Sequence, residues 1–281
     1  MIDPHGEYES SLAGKCRVFR VGANSALGEE DLCVPFWALP FKELIAIFPG
    51  RLSDQNEDYI RNKVLEKKRL SAAAIGGLRE EAITADSPIP FSINQLWFDL
   101  DDFERITFRA DRVTAETRIA DGDPTTFRSN QYPTAGIGSS APFLNNKAKG
   151  ILGFLDAMRS RILDQRYNFL FRPIDYSPSL DGTTNKDLPE LFSTWFGHGF
   201  PISILDLSAM REMADVLSSL RTGEAIVSGE AVRIPSRIKF FQAENAGKSA
   251  DPVASQLWTN PRPDIVEYET SVRNWRNQSF H

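Results

Sequence analysis

Cysteine is scarce in this chain: Cys16 and Cys33 are the only two among 281 residues. They form no CxxC pair, which excludes a disulfide framework and a zinc ribbon, and no metal site is expected. Long hydrophobic runs are missing as well. No stretch reaches the roughly 18 apolar residues of a membrane-spanning helix. The first residues lack the charged-then-apolar layout of a secretory leader, so the expectation is a soluble, cytoplasmic protein without membrane contact. Positive charge is in deficit, with 32 Lys and Arg against 38 Asp and Glu. That balance excludes a general basic coat for nucleic acid, though not a local basic strip. Ser, His and Asp occur without a GxSxG or comparable setting, so a hydrolase triad has no support. The sequence shows no internal repeat.

A phosphate loop is also lacking. It needs GxxxxGK[ST], because consecutive backbone N–H groups cradle the phosphates while Lys reaches the terminal ones. The one GK[ST] tripeptide is Gly247-Lys248-Ser249; its frame puts Gln242 where the first glycine belongs, and its flanks are polar.

What is present is a core. Nineteen Phe, five Trp and 41% hydrophobic residues are ample for one large domain or two modest ones. Met-Ile at the start reads as the end of a buried strand, followed by the polar loop Asp-Pro-His-Gly-Glu-Tyr. Residues 16–22, CRVFRVG, alternate as a short strand. Phe41, Leu44, Ile45 and Phe48 fall at helical spacing. A polar helix is predicted from Asp54, with Glu57 closing a capping box, to about Ala74. FSINQLWFDLDDFERI predicts a third helix, and Ile151, Leu155, Met158 and Ile162 a fourth. Between these two lies a Gly-, Pro-, Ser- and Thr-rich loop over 121–145. After Arg166, NFLFRP reads as a strand. DLPELFSTWFG reads as a short helix, with Asp187 and Glu190 as a cap box and Gly197 as its stop. PISILDLS, apolar on both faces, reads as a buried strand of a parallel sheet. GEAIVSGEAVRIPSRIKFF predicts a hairpin turning at Ser228-Gly229. The Pro-rich tail ends in a short helix.

Four stretches in order, IDPHGEY, FRP…DLPELFSTWFGHGFPISILDLS, LRTGEAIVSGEAVRIPSRIKF and LW…PRPDIVEYETSVRNWR, resemble the HerA family of RecA-like ATPases. The resemblance implies an α/β fold: an incomplete RecA-like parallel-sheet core (1–35 and 166–249), a mainly α-helical insertion domain (36–165) and an extended C-terminal tail (250–281). It implies a subunit or fragment of an ATP-driven DNA translocase, a ring and most simply a hexamer, working with a nuclease or other effector protein. ATP and Mg2+ are implied for the complete protein. In that family the phosphate loop precedes the strand that ends in IDPHGEY, and an apolar strand ends in an acidic pair that holds Mg2+. This chain begins after the point of that phosphate loop, and no such acidic strand lies between ILDLS and LRTGEA, so it is expected to bind no ATP by itself. The other reading is a non-catalytic assembly module.

The resemblance sets Asp3 and Glu7 beside the nucleotide as candidate catalytic acids, with His5 and Gly6 in the same loop; the alternative is turn chemistry alone. Arg221, before a strand, is placed to reach a nucleotide across a subunit boundary, or else it is a turn residue held by Glu224. Arg233, Arg237 and Lys239 share one face of an alternating strand. They suit either DNA phosphates or a charge-guarded sheet edge. Trp258, Trp275 and Arg276 suit an inter-subunit brace, or ordinary packing of a last helix. His198, between two glycines, reads as a loop residue.

Overall fold

A computed structural model describes residues 2–3, 12, 14–138, 140–197, 202–206, 224–229, 232–239 and 265–278. In chain order its strands are β1 (Ile2–Asp3), β2 (Cys16–Arg20), β3 (Glu30–Asp31), β4 (Thr107–Phe108), β5 (Phe143–Leu144), β6 (Ile202–Asp206), β7 (Glu224–Gly229) and β8 (Val232–Lys239). The helices are α1 (Phe41–Ala46), α2 (Asp54–Ile75), α3 (Ile93–Arg105), α4 (Leu152–Leu163), α5 (Asn168–Phe171), α6 (Leu188–Phe196) and α7 (Ile265–Arg276). The protein is mixed α/β, with small sheets and several helices. It divides into two compact units: Met1–Cys33 with Leu191–Val266, and Val34–Glu190 with Glu267–His281.

The first unit holds a four-stranded sheet in the order β1-β6-β2-β3, and every pairing in it is parallel. The apolar run ISILD therefore lies between two strands, as a strand buried on both faces should. Ile204 is fully buried, as is Phe19 of β2. Strands β7 and β8 pair antiparallel in a separate ladder. Ser228 and Gly229, the expected turn residues, belong to β7 itself. Gly229 pairs with Val232 and Val227 with Ser236, so one residue of β7 stands against three of β8, and the irregularity lies on β8 opposite Ser228.

The second unit is helical. Ser53, not Asp54, caps α2: its hydroxyl accepts from the Asn56 amide at 3.2 Å, which moves Asp54 into the first turn, where its charge favours the helix dipole. Gly76, at φ +73°, ends the helix. Ser92 caps α3 in the same way through the Gln95 amide, and Ile93, Leu96, Trp97 and Leu100 form its buried stripe. The apolar positions expected near 151–162 are buried along α4. NFLF is not a strand but the single turn α5. A short apolar run cannot declare its period, and packing decides it. Phe171 rests against Phe48 and Phe36, ring centroids 5.7 and 5.8 Å apart, and Leu170 is also buried. Tyr176 and Leu188 are buried in the same unit, whose first segment runs to Glu190.

Candidate functional site

Parallel strands all point their carboxyl ends one way, and an open α/β sheet binds ligands beyond that edge. In the first unit the edge is polar. Asp3 ends β1, Arg20 ends β2, Asp31 ends β3 and Asp206 ends β6. The register aligns them: Asp3 pairs with Asp206, Arg20 with Asp206 and Arg20 with Asp31. Neighbouring strands run about 4.8 Å apart, so four charged residues cross one edge in a row.

The connection leaving β2 is built on carboxylates. Glu29 is buried at 5% exposure; one oxygen accepts from the Arg20 guanidinium and the other from the Asn24 amide at 2.7 Å. Asp31 accepts from the Ala23 amide at 3.2 Å, and Arg17 pairs with Glu30. Gly28 completes the loop at φ +78°, a conformation that suits glycine. Arg20 is thus fixed by a buried acid at the strand end.

Of the residues singled out in the sequence, Asp3 is placed at this edge, while Glu7, His5, Gly6, Arg221, His198 and Trp258 lie outside the described residues. Asp206 and Arg20 join Asp3 only through strand pairing that bridges distant parts of the chain. The apolar run before Asp206 was the only local signal. Arg233, Arg237 and Lys239 alternate along β8. Gly247-Lys248-Ser249 also lies outside the described residues. Among those described, no group of three His, Cys, Asp or Glu could hold a metal ion, and no helix is long and apolar enough to cross a membrane.

In the second unit, polar groups lie buried beneath the C-terminal helix. Lys68 is 1% exposed, and its ammonium donates to the carbonyls of Ser87 (2.7 Å), Ala85 (2.8 Å) and Trp37 (3.3 Å). Burial lowers its pKa to about 7, while Asp86 opposes the fall and Arg276 adds to it. Its spacing from Ile60 and Val64 puts a lysine on the apolar stripe of α2, which is the sequence signal for this site. Arg276 is 4% exposed; it donates to the Pro88 carbonyl at 2.7 Å and holds Asp187 with both terminal nitrogens, at 2.7 and 2.5 Å. Its guanidinium is therefore engaged inside its own chain. Trp275, the adjacent residue, is 36% exposed.

A parallel sheet with charged strand ends, beside a unit made mainly of helices, defines the chain as a mixed α/β protein. Residues 1–220 match the family described as Helicase HerA, central domain, and the chain belongs to that family. It is also similar to the DNA double-strand break repair helicase HerA of Sulfolobus acidocaldarius, 34% identical over 64 residues. That stretch covers 23% of this chain and only 13% of the archaeal protein.

Proposed function

We propose that this chain is a subunit, or part of one, of an ATP-driven DNA translocase ring of the HerA kind. The family match over residues 1–220 carries the reading, and the all-parallel sheet supports it. In this reading the first unit belongs to a RecA-like core and residues 36–165 to a helical insertion domain. Asp3 and Glu7 border the nucleotide and its Mg2+, with His5, Gly6 and Arg221 contacting the nucleotide. Arg233, Arg237 and Lys239 meet DNA phosphates, while Trp258 and Trp275 meet a neighbouring subunit of a hexamer. A nuclease or other effector is the partner, and the cytoplasm the compartment.

The residues of this chain do not fit a complete nucleotide site. No GxxxxGK[ST] loop occurs in the sequence, and strand-end acids alone make no phosphate cradle. That same absence favours a second reading, a non-catalytic assembly module of the ring. The test is ATP turnover and duplex binding by the purified chain. The expected result is no turnover above background, because phosphoryl transfer depends on clamping that is missing here. Salt-sensitive DNA binding should be lost in the Arg233→Ala, Arg237→Ala, Lys239→Ala triple variant. Turnover that persists through purification would overturn the first expectation, and DNA binding unchanged in the triple variant would overturn the DNA face.

A further inference from the structure

Helix α7 has twelve residues, and Tyr268, Val272 and Arg276 are the ones it buries. A helix of this length is marginal in water and depends on its dock. Its C-terminal end is held by polar contacts from several directions. The Ser87 hydroxyl donates to the Arg276 carbonyl at 3.3 Å, and the Arg79 amide donates to Asn277 Oδ1 at 3.0 Å. The Arg276 side chain reaches the Pro88 carbonyl and both oxygens of Asp187.

Asp187 has a second task. It stands immediately before α6, its Oδ1 accepts from the Leu188 amide at 2.8 Å, and its own amide donates to Glu190 Oε2 at 3.0 Å. Pro189, at the second position of that helix, offers no N–H to a capping side chain. One carboxylate thus serves the end of α7 and the start of α6 together. We propose that Arg276 and Asp187 form a latch that couples the docking of α7 to the first turn of α6. A partner or ligand that draws α7 from its seat removes the cation that holds the Asp187 carboxylate in place, and so loosens that carboxylate's grip on the first turn of α6. The order of that first turn then reports whether α7 is docked, and by reciprocity whatever orders the first turn favours docking.

Hydrogen exchange on the full chain tests this. Arg276→Gln should speed exchange about tenfold or more at the amides of 268–276, the loss expected for a charge-assisted bidentate pair. The amides of Leu188 and Glu190 should also quicken, while those of 149–151, held elsewhere by Glu104, should not. Asp187→Asn should give the same pattern, and the double variant should add nothing to either single change. Arg276→Lys, which keeps the cation, should show the pattern in weaker form. Faster exchange in α7 with 188–190 unchanged, additive single effects, or a uniform rise across 34–190 would each overturn the latch.

Discussion

A buried lysine is costly because its charge leaves water, and Lys68 meets that cost with three carbonyls. Its pKa still falls to about 7, from 10.5. The sign follows from linkage. Between those values the unfolded chain holds the Lys68 proton more tightly than the folded one, so this group makes stability rise with pH across that window. Below about pH 7 its unfavourable contribution is present in full. Denaturant melts at pH 7, 8 and 9 should show a steeper rise for the wild type than for Lys68→Met. Equal slopes would mean that the three carbonyls keep the ammonium charged throughout.

At the scale of elements, α4 begins where Glu104 of α3 tells it to. The Glu104 carboxylate accepts from the amides of Lys149 (2.6 Å), Gly150 (2.8 Å) and Ile151 (3.2 Å), at 7% exposure. Glu104→Ala would orphan three N–H groups at once, and a loss of about 3 kcal/mol is expected in chemical denaturation. A loss under about 1 kcal/mol would mean that water replaces the carboxylate. The sequence showed α3 and α4 because their apolar spacing is local. It showed Glu104 only as one charge in an acidic run, because its partners lie more than forty residues away. The same limit hid the strand-end row. Asp3 stood out for its polar loop, but nothing local brings Asp206 beside it. NFLF was misread for the opposite reason: too few residues to set a period, and a fate decided by Phe36 and Phe48.

For the whole molecule, the C-terminal helix offers two surfaces with separate uses. Arg276 and Val272 face inward, and Trp275 remains the exposed aromatic beside them. If Trp275 meets a neighbouring subunit, Trp275→Ala should weaken self-association several-fold, as aromatic anchors do. The melting temperature should stay within about 2 °C, as for an exposed position. Ultracentrifugation and thermal melts on the same samples check both parts, and an unchanged oligomer distribution removes Trp275 from the interface.

The parallel sheet also governs the order of assembly. Ile2 pairs with Leu205 and Cys16 with Ile202, so β1 and β2 find their shared neighbour only across most of the intervening chain. On a ribosome, the opening strands emerge early and wait until the segment carrying β6 has been synthesised. The stretch from Val34 to Glu190 is made in the meantime. Low contact order folds fast, while closing a long loop for a parallel strand is slow. The pairings of β6 with β1 and β2 therefore close late, and the charged carboxyl edge is among the last features of the first unit to form.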